Sequence, residues 1–263
     1  RQVPLRVTCL KASDNYPNVI KHSMKIIIPF LLVFTILACS QPKNKTKGPI
    51  APALKRVTQL QEANNIKKAN WLLDSLIYMA PDSAEPYFRL AHSKTIHQPD
   101  LFKIMTLLDS CLKREPNHSK ALYLKSQGLM FMGKFDQALQ VENQLLMKYP
   151  NQPQLILDRL STYLFNGDFE TAINESPSLI DKYSNILEIE RIHRVSIYSK
   201  YFLGKYEKAL EELETYKAKG YQADDIFIMI NNKQYKHKDF AKGNNVGNTP
   251  CSLNQLNSMF PEN

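Results

Sequence analysis

A short pattern returns three times along the chain: Gly133-Lys-Phe-Asp-Gln-Ala138, Gly167-Asp-Phe-Glu-Thr-Ala172 and Gly204-Lys-Tyr-Glu-Lys-Ala209, with the glycines 34 and 37 residues apart. Prolines keep the same beat, since Pro81, Pro116 and Pro150 are separated by 35 and 34 residues, each after an apolar amphipathic stretch. A period of this length marks a stacked architecture, in which each unit buries its apolar face only against its neighbours. Each marker has a physical task. Glycine permits a turn that a side chain would obstruct. Alanine puts the least bulk where two helices approach, and proline stops one unit so that the next begins.

Helical periodicity falls in the same register. Phe135, Ala138, Leu139, Leu145, Leu146 and Tyr149 share one face of a helix, and Ile66, Ala69, Leu73, Leu76, Ile77 and Ala80 repeat that stripe before Pro81. These residues resemble the tetratricopeptide repeat, a 34-residue helix-turn-helix unit. The resemblance covers about two-thirds of the chain. It implies an all-α fold: a right-handed α-solenoid of about five helix-turn-helix (TPR-like) repeats near 50–83, 84–118, 119–152, 153–187 and 190–223. The last three units carry the glycine, the aromatic and the alanine together. Unit one has Asn64 and Ile66 in place of the glycine and aromatic, and unit two has Pro99, Leu101 and Ile104. Pro177 inside the second helix of unit four predicts a kink or break. Residues 224–240 are expected to supply a single capping helix over the last apolar face, and residues 241–263, rich in turn formers, a loosely ordered tail.

The other constraining stretch is MKIIIPFLLVFTILACSQPKNK, residues 24–45. Met24 and Lys25 give a minimal positive start, and Ile26 to Leu37 is an apolar run of secretory h-region length, short of the roughly 20 residues that cross a bilayer. Its end, Ile36-Leu37-Ala38-Cys39, resembles the bacterial lipobox, although that family favours Leu where this chain has Ile36. The resemblance implies a signal peptide over 24–38, lipidation of Cys39, and a flexible tether to residue 49. The alternatives are a plain signal peptide, or a short anchor in which Cys39 is incidental. With Met24 as the start, residues 1–23 read as an upstream extension outside the native product. Ser40 after the cysteine resembles outer-membrane sorting signals, so the expected location is the bacterial cell envelope, on the periplasmic face or the cell surface.

Charge takes on a different meaning once the chain is divided. The formal net charge is +9, but ten of the 34 bases and one of the 25 acids precede residue 61, which leaves 24 of each beyond it. The excess therefore sits in leader and tether, where bases favour an anionic membrane surface, and a nucleic-acid partner loses its main support. Of four cysteines only Cys111 and Cys251 lie in the array and tail, without CxxC or His/Cys clustering, so neither a disulfide framework nor a metal site is indicated. Cys111 falls on an apolar stripe and reads as a core residue. Cys251 reads as a free thiol in the tail.

No catalytic motif is present: there is no G-x-S-x-G, no phosphate-cradling glycine loop and no paired metal ligands. His92, His97, His118, His193 and His237 share no spacing and read as solvated surface or groove lining. The chain is expected to be no enzyme and to need no cofactor. In tetratricopeptide proteins the face made by successive first helices commonly holds a peptide. Transferring those positions gives Phe88 and His92 in unit two, then Lys120, Tyr123, Gln127 and Met130 in unit three. Unit four contributes Gln154, Leu157, Ser161 and Leu164, and unit five Arg191, Arg194, Tyr198 and Tyr201. Aromatics with arginines and amides suit recognition of a protein or peptide partner. The carboxylate clamp of some chaperone-binding members needs asparagines and lysines there, and only Lys120 fits. The resulting expectation is a lipid-anchored extracytoplasmic interaction scaffold, of the kind that assists envelope assembly complexes. The competing readings are a glycan- or nutrient-handling lipoprotein with exposed tryptophan platforms, and, less favoured, an enzyme. Trp71 is the single tryptophan and neighbours a core stripe.

Overall fold

The computed structural model describes residues 50–183, 189–232, 236–244 and 251–261. The signal segment, Cys39 and residues 1–49 as a whole lie outside the described residues, which belong to one compact unit beginning at Lys45. Ten helices follow in consecutive pairs: α1 (Ile50–Glu62) with α2 (Ile66–Met79), α3 (Glu85–His97) with α4 (Leu101–Arg114), α5 (Ser119–Phe131) with α6 (Phe135–Lys148), α7 (Pro153–Asn166) with α8 (Phe169–Lys182), and α9 (Ile189–Phe202) with α10 (Tyr206–Ala218). This is an all-α solenoid of five helix-turn-helix repeats.

The turns follow the markers. Gly133, Gly167 and Gly204 have φ of +69°, +91° and +74°, a region costly for a residue with a Cβ. Unit one meets the same need with Asn64 at φ +54°, asparagine being one of the few side chains that tolerates it. Unit two uses no left-handed residue. Its second helix starts instead at Asp100, whose carboxylate accepts the Lys103 amide at 3.0 Å as an N-cap. The close-approach alanines, Ala138, Ala172 and Ala209, are fully buried. α2, α4 and α6 each end two residues before their proline, Pro81, Pro116 and Pro150. Units also clasp one another through side chains, as where Arg114 stacks over the Tyr87 ring at 4.0 Å and donates to the Pro81 carbonyl.

Three expectations change. α8 runs unbroken through Pro177, which lies on the exposed side, where water can satisfy the carbonyl that loses its amide partner. The region after the array holds two helices rather than one: α11 (Asp224–Asn232), packed on α10 and burying Ile226, Met229 and Ile230, and α12 (His237–Asn244). The stretch expected to be loose contains a further helix, α13 (Leu253–Met259), opened by a reciprocal capping box between Ser252 and Gln255. Leu256, Met259 and Phe260 are buried in the main core cluster, with Leu253 and Cys251 packed against it. Composition marked that stretch as turn-forming, but the burial that orders it comes from a surface more than a hundred residues earlier in sequence.

Candidate partner-binding groove

The first helices α3, α5, α7 and α9 lie side by side and form one face of the stack. Its polar centre is Asp158 on α7, 2% exposed. Oδ2 accepts the Tyr123 hydroxyl at 3.0 Å and the Gln127 amide at 3.3 Å, both from α5, while Oδ1 accepts Gln154 at 2.9 Å and the Arg191 guanidinium, from α9, at 2.8 Å. Arg191 also donates through Nε to the Ser161 hydroxyl at 2.9 Å. One carboxylate thereby ties three units together, with burial strengthening each charge-assisted bond. Burial, and the Asp158 charge next to it, push the Tyr123 phenol far above its usual range.

Five of the transferred positions thus meet at this centre: Tyr123, Gln127, Gln154, Ser161 and Arg191. The others divide. Phe88 is wholly buried, its ring near those of His92 and His118, and Leu157 and Leu164 are core residues. The Met130 sulfur lies 3.0 Å from the Thr162 hydroxyl, and Lys120 lines the cavity described below. Arg194 stacks over Tyr198 and donates to its hydroxyl at 3.1 Å, and Tyr201 is buried against Phe202 and Tyr206. Asp158 itself was missed by the transfer, although an acid four residues after Gln154, on the same helical face, carried a signal.

This face is covered. Phe240 of α12 lies 4.8 Å from the Tyr198 ring and 5.1 Å from Phe202, and His237 donates through Nε2 to the Leu164 carbonyl at 2.8 Å. Further along, Phe260 sits 5.6 Å from Tyr123 and 5.1 Å from Tyr149, and His92 Nε2 donates to the Cys251 carbonyl at 2.8 Å. Burial pushes the His92 imidazole down, outweighing the bond to the Cys251 carbonyl, which favours the charged form. The Cys251 sulfur lies 3.8 Å from the Tyr123 hydroxyl. Cys251 is therefore half-buried on the groove rather than loose in solvent.

Of the five histidines expected at solvated surface or groove lining, His92, His118 and His193 are buried, His92 on the groove itself. His118 caps α5, its Nδ1 accepting the Ala121 amide at 3.2 Å, which leaves Nε2–H to face Glu85 at 3.4 Å. His193 accepts from Lys219 through Nε2 at 3.1 Å, so Nδ1–H points to Glu212 at 3.2 Å. Burial would raise Glu212, but the hydrogen bonds from His193, Lys200 and Ser196 outweigh it and hold the carboxyl low. Among the described residues no group of three or more His, Cys, Asp or Glu side chains is placed to hold a metal ion, and no helix is long and apolar enough to cross a membrane.

No family model and no curated protein matches the chain. Solved structures do. The YrrB structure, described as a TPR protein with an unusual peptide-binding site, aligns with a TM-score of 0.61 at 13% identity over 72% of this chain and 94% of that one. The fold is that of a tetratricopeptide-repeat array. A tetratricopeptide repeat protein from Parabacteroides merdae gives 0.58 at 14% identity over 73% of each chain. MamA from Desulfovibrio magneticus RS-1 gives 0.55 at 16%, over 71% of this chain and 97% of that one.

Proposed function

We propose that this protein is a non-enzymatic interaction scaffold, anchored through lipid on Cys39 to a membrane of the bacterial envelope on its extracytoplasmic side, that holds a peptide or protein segment on the face built by α3, α5, α7 and α9. The observation that carries the binding reading is that this face already holds a helix, α13, by aromatic burial and a directed hydrogen bond. The peptide-binding site named for YrrB, on a similar fold, agrees with it. The anchor rests on the sequence from Met24 to Cys39 alone. Anchoring raises the effective concentration of the groove near its partner, and a role beside an envelope assembly complex would use that.

Crosslinking and pull-down from membranes, comparing the intact chain with a Tyr123→Ala, Tyr198→Ala double variant, tests the groove, and an unchanged set of recovered proteins refutes it. Metabolic labelling with a fatty-acid analogue tests the anchor, and labelling that persists in Cys39→Ser removes that residue from the argument.

One observation favours the glycan reading. Trp71 is not in the core beside its stripe but 71% exposed, next to Asn64, Asn65, Asn70, Asp74 and Gln98 around an open cavity of about 620 Å³. An indole face among amides suits a sugar ring. Tryptophan fluorescence titrated with soluble oligosaccharides tests this, since Trp71 is the sole tryptophan; an unchanged spectrum refutes it.

A further inference from the structure

The segment 251–261 is the key to what the groove takes. A cap belongs over the last unit of an array, and α11 occupies that place against α10. The α13 segment does not sit there. It reaches back to units two and three, where His92, Tyr123 and Tyr149 receive it. It has seven helical residues, too few to be stable alone. Its hold comes from Leu256, Met259 and Phe260, at relative spacings of 3 and 4 along one helical face. Recognition of an amphipathic helix by anchors at these spacings in an apolar groove is a recurring binding mode.

Phe260 and Pro261 line one side of a cavity of about 680 Å³. Four bases line it, Lys55, Arg89, Lys120 and Lys148, together with His118 and the acids Glu85 and Glu115. Arg89 pairs with Glu85 at 2.7 Å, and by count the lining carries four bases to two acids.

We propose that residues 251–261 are an internal stand-in for the partner. Resting on the interaction reading above, this assigns the partner's binding element: a short amphipathic helix on another protein, with aliphatic and aromatic anchors at relative positions 0, 3 and 4, followed by acidic residues that enter the basic cavity. Binding expels the stand-in. Because the stand-in is covalently attached, at an effective concentration on the order of millimolar, it sets a threshold that weak ligands do not pass.

The test uses the full chain and two fluorescent peptides. Both carry the sequence of residues 251–261 with serine for Cys251; one ends in two aspartates and the other in two lysines. Anisotropy is read with the wild type and with a Leu256→Asp, Phe260→Asp variant whose own segment no longer docks. The variant should bind the aspartate peptide at least about ten-fold tighter than the wild type. It should also prefer that peptide to the lysine one several-fold, by a margin that shrinks with salt. Adding Tyr123→Ala to the variant should abolish binding. Equal affinity of wild type and variant, or preference for the lysine peptide, overturns the proposal. So does a wild type that is dimeric while the variant is monomeric, because the occupant is then a second copy.

Should the variant fail to fold, alkylation of Cys251 in the wild type decides. Saturating aspartate peptide should speed it, and an unchanged rate overturns the proposal. A failed membrane pull-down alongside successful peptide displacement would reject the proposed setting and leave the ligand class standing.

Discussion

Replacing Asp158 by asparagine changes no shape, so its effect isolates what the carboxylate does at the centre of the groove. The amide keeps one acceptor oxygen. If it faces Arg191 and Gln154, bonded at 2.8 and 2.9 Å, the NH2 group meets the Tyr123 hydroxyl and the Gln127 amide, donors at 3.0 and 3.3 Å. Tyr123 can turn its proton away and accept, while Gln127 loses a weak bond. Arg191 keeps a neutral acceptor in place of a charged one. The loss amounts to about 2–3 kcal/mol, from one ordinary hydrogen bond and the charge assistance of another. Asp158→Ala leaves all four donors without this acceptor in a buried site, and should cost about 3–5 kcal/mol. Urea unfolding followed by helical circular dichroism measures both, with fluorescence as a second probe, because repeat arrays do not always unfold in one step. In a cycle with Arg191→Met the two losses should fall short of additivity by about 1–2 kcal/mol. A loss below about 0.5 kcal/mol in Asp158→Asn would refute the view that this carboxylate knits three units together.

Other outcomes follow from single sites. Glu142, 1% exposed between α6 and α7, is raised by burial, and by the nearby Asp158 charge, from 4.5 to about 8. Thr162 has one proton, which its own α7 carbonyl at Asp158 accepts at 3.0 Å, so the 3.0 Å contact with Glu142 is favourable when the carboxyl brings the proton. The native chain then holds this proton over a range where the unfolded chain has released it. Stability should fall with rising pH, by about 1.4 kcal/mol per unit between about pH 5.5 and 7.5, relative to Glu142→Gln. Parallel pH profiles for the two proteins would refute this. Cys111 is fully buried, and burial pushes its thiol up to about 12, so its alkylation at neutral pH should track global unfolding; fast labelling of the native protein would contradict that. Gly133→Ala meets no atom within 4 Å, but its φ of +69° should cost about 1 kcal/mol in a urea melt, and no loss would show that the turn relaxes.

The sequence by itself determined the repeat. Glycine, aromatic, alanine and proline act within one helix pair, over distances a local pattern can encode, and the five pairs appear where those markers stand. The two weaker units were legible from their closing prolines, Pro81 and Pro116, and in unit one Asn64 adopts the backbone that glycine adopts elsewhere. The proposed export segment over 24–38 rests on a local pattern alone. What tertiary structure decided depends on residues far apart in the chain. Asp158 gathers partners from three helices, and no spacing on α7 announces Tyr123 or Arg191 opposite it. The 251–261 segment lacks enough apolar residues to fold alone, so its own composition predicts looseness. It is ordered by Tyr123, Tyr149 and His92, which only the stacking of the repeats brings to face it. Trp71 shows the converse: a position beside the buried stripe in sequence points to solvent, because a helix of 3.6 residues per turn buries only the stripe that meets a neighbour.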